Sequence, residues 1–138
     1  MNIVIDSNIL FSALIKDSTT RKIILEYEGY FFFPYYIFEE LEKHKDEIQK
    51  KSGLSKDDFN QLLELLLEKV HVIPNEVLDR HKDESIERVK EIDLNDAVFI
   101  ACALAFPNTI LWTDDKKLKQ ITEIQITNTQ EIIKIIKK

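Results

Sequence analysis

Asp6 ends a short apolar run, Ile3-Val4-Ile5, and Asp115 lies just after a second run that reaches Trp112. Asp93 and Asp96 are three residues apart at the start of a helical segment, a spacing that puts both on one side of it. Glu40, with Glu39 beside it, stands among Ile37, Phe38 and Leu41 on an otherwise apolar helix face, where a carboxylate is costly unless a cation satisfies it. Carboxylates gathered in one place repel one another and are stable in ionised form only with hard cations between them. An all-oxygen donor set favours magnesium or manganese over zinc. One or two such ions would make a water acidic enough to attack phosphorus and would neutralise charge on the departing oxygen, so the chemistry indicated is phosphodiester hydrolysis without a nucleophilic side chain. Asn8 and Thr113, short polar residues beside the acidic positions, could hold a carboxylate, a metal-bound water or a phosphate oxygen in place.

Each acidic position also has a plainer explanation, because helix starts prefer acids. Asp6 or Ser7 could cap the first helix, Asp93 could cap with Asp96 in the first turn, and Thr113 could cap with Asp114 and Asp115 beside the dipole. Taken singly, capping is the stronger reading. Their joint arrangement, after two separate apolar strands and opposite an acid on an apolar helix face, shifts the balance to a metal site. Histidines 44, 71 and 81 occur singly, without zinc-site spacing, and no histidine base is fixed near Ser7 by spacing, which disfavours a serine hydrolase.

The elements that must position these residues alternate. Strands are expected at Asn2 to Asp6, Tyr30 to Phe33, Val70 to Ile73, Thr109 to Trp112 and Ile124 to Thr127. Helices are expected around Ile9 to Leu14, about Thr19 to Tyr27, from Pro34 to about Lys51, from Ser55 toward Lys69, from Asn75 to Glu91, from Ala97 to Ala105, a short one around Leu118, and from Glu131 to Lys138. Alternation of this kind gives an α/β fold with a mostly parallel central sheet of about four to five strands flanked by helices on both faces. Sites in such sheets form beyond the carboxyl ends of the strands, where Asp6 and Asp115 lie. The region from Glu39 to Lys69 reads as a helical insertion that projects from the sheet layer.

Composition bounds the rest. The chain has 138 residues, 44% of them hydrophobic, enough for one substantial core, and residues 1–138 are read as a single domain. No apolar run approaches the roughly 20 residues needed to span a bilayer, so a soluble, cytoplasmic protein without a membrane partner is expected. The lone Cys102 falls in an apolar segment and reads as an inert core residue. A formal charge of -6 does not advertise a nucleic-acid binder, although acidic metal ligands would account for much of the excess and bound cations would invert the local field. Two glycines are too few for phosphate-cradling loops. Lys116 and Lys117 follow an acidic motif and are weak candidates for guiding a substrate phosphate; a solvated surface is the ordinary reading of such lysines. The run Phe31 to Tyr36 is best read as a buried strand and helix junction, part of it a candidate homodimer interface.

In order along the chain, these motifs resemble the PIN-domain family, which includes VapC-type toxin ribonucleases and RNA-processing nucleases. The family's apolar strand ending in Asp-x-Asn is matched by Ile3-Val4-Ile5-Asp6-Ser7-Asn8. Its helical Glu-Leu is similar to Glu40-Leu41, with Glu39 the competing acid. Its Asp-x-x-Asp pattern followed by a helical alanine is matched from Asp93 through Asp96 to Ala103, and its strand leading to Thr-x-Asp by Leu111-Trp112-Thr113-Asp114-Asp115, with Asp114 competing for the last place. The resemblance covers nearly the whole chain. It implies a PIN-like three-layer fold and a Mg²⁺- or Mn²⁺-dependent endoribonuclease acting on RNA. Asp6, Glu40, Asp96 and Asp115 are then the principal ligands and Asp93 a further acid. Resemblance to the VapC-type toxins also implies an antitoxin protein as partner. The rival reading is a catalytically inactive PIN-like module that binds RNA or protein, and the intact acidic set favours the enzyme.

Overall fold

The computed structural model of the chain describes residues 1–15, 19–81, 83, 97–121 and 124–136. Five strands form its sheet: β1 (Asn2–Ile5), β2 (Phe31–Pro34), β3 (Val70–Ile73), β4 (Thr109–Trp112) and β5 (Gln125–Thr127). They lie in the order β3-β2-β1-β4-β5, every neighbouring pair parallel, as the alternating pattern required. The described helices are α1 (Ser7–Ile15), α2 (Thr19–Glu26), α3 (Tyr36–Ser52), α4 (Lys56–Leu67), α5 (Asn75–Asp79), α6 (Ala97–Leu104) and α7 (Thr129–Ile136), with a 3-10 helix at Lys116–Gln120. None of them is long and apolar enough to cross a membrane.

The central strand explains the layering. Ile3, Val4 and Ile5 are all fully buried because successive side chains of β1 enter opposite layers. Ile3 and Ile5 join Phe31, Phe33 and Trp112 beneath α1, α2, α3, α4 and α7, while Val4 joins Leu111 and Ile126 beneath α5 and α6. A strand buried on both faces must be apolar throughout, which is why β1 and β4 read as continuous apolar runs.

The chain winds from β1 outward through β2 to β3, then returns to the far side of β1 to lay down β4 and β5. The winding therefore reverses between β1 and β4. At such a switch point the loops leaving the two strands part in opposite directions and open a crevice at their carboxyl ends. Register fixes which residues flank it, since Ile5 is paired with Trp112, and the next residues out are Asp6 and Thr113.

Three expectations need correction. The segment Glu39–Lys69 does not project from the sheet: Ile37, Leu41 and Ile48 of α3 and Phe59, Leu63 and Leu66 of α4 are buried in the same core as β1 and β2. Ile48 extends the apolar stripe past the charged run, and Gly53, at φ 70°, ends α3 in the left-handed conformation so that α4 can fold back. The helix expected from Asn75 to Glu91 breaks after Asp79, where Arg80 caps it and where Val77 and Leu78 have packed into the core; residues 82 and 84–96, most of its expected remainder, lie outside those described. Pro34 closes β2 instead of opening α3, paired in register with Ile73. Ser55, where the helix toward Lys69 was expected to begin, caps α4, its hydroxyl accepting from the Asp58 N–H at 3.1 Å.

Candidate active site

Asp6 is 4% exposed at the carboxyl end of β1. Its Oδ1 accepts the Ile9 N–H at 3.0 Å, which caps α1, and its Oδ2 accepts the hydroxyl of Thr113 across the crevice. Capping and site formation are thus not alternatives here, because a carboxylate has lone pairs beyond the two these donors use. Burial is the chief influence on its acidity and pushes its pKa from 3.8 up to about 6; the Thr113 and Ile9 hydrogen bonds pull it down, and the negative charges of Asp114 and Asp115 push it up. An acid held in that state is one a cation would stabilise strongly.

Thr113, itself buried, joins the two strand ends. Its Oγ1 accepts the Asp115 N–H at 3.1 Å while its own O–H is donated to Asp6. Asp115 is half-buried, and its Oδ1 accepts the Lys117 N–H at 3.0 Å, which starts the 3-10 helix. Asp114 is engaged elsewhere: its Oδ1 accepts the Thr129 N–H and its Oδ2 the Thr129 hydroxyl, both at 2.8 Å, which ties the crevice loop to the start of α7. Asp114 thus spends both oxygens on Thr129, whereas Asp115 spends one on Lys117.

Glu40 lies on the second turn of α3, the helix that leaves the same edge of the sheet after β2. It is half-buried, while Glu39 is exposed. Its Oε1 accepts the Tyr36 hydroxyl, and its Oε2 lies 3.6 Å from His44 Nε2. Tyr36 also meets Phe99 of α6 edge-on, with ring centroids 6.5 Å apart, so one side chain links the Glu40 carboxylate to the opposite layer. Neither Tyr36 nor His44 was singled out from sequence as part of a site. The available signal was spacing: both are one helical turn from Glu40, on its face of the helix.

Asn8 is exposed on the first turn of α1, and Lys116 and Lys117 are exposed at the start of the 3-10 helix. Asp93 and Asp96 lie outside the described residues. Among the described residues no group of three or more His, Cys, Asp and Glu side chains is placed to hold a metal ion. Asp6 and Asp115 are joined through Thr113, and Glu40 stands on a neighbouring helix at the same sheet edge. The donors are all carboxylate oxygens, suited to a hard divalent ion. Beside Asp6, the Ser7 hydroxyl oxygen is buried with no hydrogen-bond partner among the described residues, an arrangement that a bound ion with its water would complete.

Residues 4–134 match the sequence profile of the PIN domain. In fold, the chain is similar to VapBC2 from Rickettsia felis, in a crystal structure bound to a DNA fragment from their promoter. The TM-score is 0.70 at 18% identity, over 93% of this chain and 98% of that one. It is also similar to VapBC-1 from nontypeable Haemophilus influenzae, with a TM-score of 0.66 at 24% identity, over 94% of this chain and 99% of that one. No curated protein sequence matches the chain.

Proposed function

Because the chain belongs to the PIN-domain family, we propose that it is a divalent-metal-dependent endoribonuclease that hydrolyses RNA phosphodiester bonds at the crevice between β1 and β4. The observation that carries this reading is the buried Asp6 carboxylate at the switch point, joined through Thr113 to Asp115 and burdened by neighbouring negative charge. Asp6, Glu40, Asp96 and Asp115 are the proposed ligands for Mg²⁺ or Mn²⁺, with Asp93 a further acid. When bound, the ion supplies an acidified water as nucleophile and charge neutralisation at the phosphate.

The chain's own residues prepare that site. Ile9 N–H and Thr113 fix the Asp6 carboxylate, so little orientational freedom is lost on binding an ion. Tyr36 does the same for one oxygen of Glu40. Trp112, fully buried beneath the crevice, donates its indole N–H to Thr129 Oγ1 at 3.1 Å and so steadies the residue that holds Asp114. Lys116 and Lys117, exposed beside Asp115, are the proposed phosphate guides. The likeness to VapBC assemblies supports a toxin role with an antitoxin protein as partner.

Incubating the protein with single-stranded and structured RNA in Mn²⁺, with and without EDTA, tests the reading. Internal cleavage that requires the ion and is lost in Asp96→Asn is expected. Binding of RNA without any cleavage would leave the inactive-module reading in its place.

A further inference from the structure

Between α1 and α3 a groove of about 470 Å³ opens beside the crevice, lined in part by Asn8, Phe11, Ser12, His44, Glu47 and Lys51. One of its walls borders the proposed ligands, since His44 Nε2 lies 3.6 Å from Glu40 Oε2. Resting on the ribonuclease reading, we propose that this groove seats one unpaired base of single-stranded RNA, that of a nucleotide flanking the phosphate to be cut.

The chemistry of the walls favours a base over any other part of the strand. Phe11 and His44 meet edge to face, with ring centroids 6.1 Å apart, and present the aromatic surface on which bases of any sequence stack. Asn8 and Ser12 carry amide and hydroxyl groups that have no partner among the described residues, free to bond a base edge. The volume lies within the range of about 300–1,000 Å³ usual for small-ligand sites, too little for a duplex. Glu40 and Glu47, 3.6 Å and 3.9 Å from the His44 ring nitrogens, keep a phosphate out of the interior. The cation stands at the rim instead: Lys51 is 59% exposed and paired with Glu47 at 2.9 Å. Exposed pairs of this kind are weak enough for the ammonium to turn to a phosphate. A base inside with its phosphate at the rim fits that charge pattern, and a base held in a duplex cannot enter.

The test uses two variants that do not touch the proposed ligands. Ser12→Phe fills the groove, and Lys51→Ala removes the rim cation from an exposed position where folding is not at risk. Affinity for a labelled single-stranded octaribonucleotide is read by anisotropy in EDTA, beside the same sequence as a duplex. Cleavage kinetics and the melting temperature rise with Mn²⁺ are read in parallel. Ser12→Phe is expected to weaken single-strand binding and raise KM about tenfold, the effect of losing one stacked base, with kcat and the Mn²⁺ response kept. Lys51→Ala is expected to weaken binding and flatten its salt dependence. Wild-type affinity in both folded variants, or duplex binding as tight as single-strand binding, overturns the proposal. A Mn²⁺ response and cleavage that persist while the groove variants bind normally reject the groove alone. A wild-type protein that neither responds to Mn²⁺ nor cuts rejects the ribonuclease reading, and the anisotropy in EDTA still decides the groove.

Discussion

Replacing Asp6 by Asn should make the metal-free protein more stable at neutral pH while removing its response to metal. Burial chiefly, with Asp114 and Asp115 adding to it, raises the Asp6 pKa from 3.8 to about 6. Each unit is worth about 1.4 kcal/mol, so keeping this group ionised costs the fold on the order of 3 kcal/mol. Because the folded pKa is the higher one, the folded state binds more protons between about pH 4 and pH 6. Wild-type stability therefore falls as pH rises through that window. Asn carries no charge and avoids this cost, and its carbonyl can still accept the Ile9 N–H. Its amide, however, faces Thr113, whose hydroxyl then loses its acceptor, at about 1 kcal/mol. The net gain at pH 8 is about 1–2 kcal/mol, or a rise of roughly 3–8 °C in melting temperature for a chain of this size. Calorimetry in EDTA at pH 8 and pH 4, and again at pH 8 with Mn²⁺, measures it. The variant should melt higher than wild type at pH 8 and lose that advantage at pH 4, and Mn²⁺ should raise only the wild type. An Asn variant less stable than wild type at pH 8 in EDTA, or one equally stabilised by Mn²⁺, would refute the reasoning.

Tyr36→Phe, which frees one oxygen of Glu40, should raise the Mn²⁺ concentration needed for half-maximal thermal stabilisation about tenfold, as loss of an outer partner of a ligand usually does; titration of the melting temperature reads it. Thr113→Val keeps the shape of the side chain but strips Asp6 Oδ2 of its donor in a buried site, and chemical denaturation should show a loss of about 1–3 kcal/mol. Cys102, fully buried with its thiol pushed up to about 12, should resist alkylation at pH 8 until the chain is unfolded, and rapid native-state labelling would contradict this. Expression of the wild type should arrest growth if the protein acts as a toxin, with relief by Asp6→Asn; full toxicity of that variant would reject the role.

The sheet was readable because short apolar, β-branched runs leave a plain mark: β3 and β4 fall where those runs put them, and β1 and β5 differ by one residue at an end. Loops carry no such mark. The inward turn of α4 depended on Gly53 and on a single apolar residue, Ile48, within a charged run. At the site, sequence order alone put Asp6 and Asp115 at strand ends, and topology brought the two ends together. The tie between Asp114 and Thr129 was invisible, because the two residues lie fifteen apart in the chain. The Tyr36 and His44 contacts with Glu40 were present in the spacing but indistinguishable from an ordinary helix face.

Cleavage of single-stranded RNA by wild type and Asp6→Asn, in Mn²⁺ and in EDTA, with folding of both verified, bears most directly on the central claim. Internal cuts by the wild type in Mn²⁺ alone, absent from the folded Asp6→Asn protein under every condition, are the expected result. Cleavage that persists in EDTA and in the variant would contradict a metal-dependent nuclease built on Asp6.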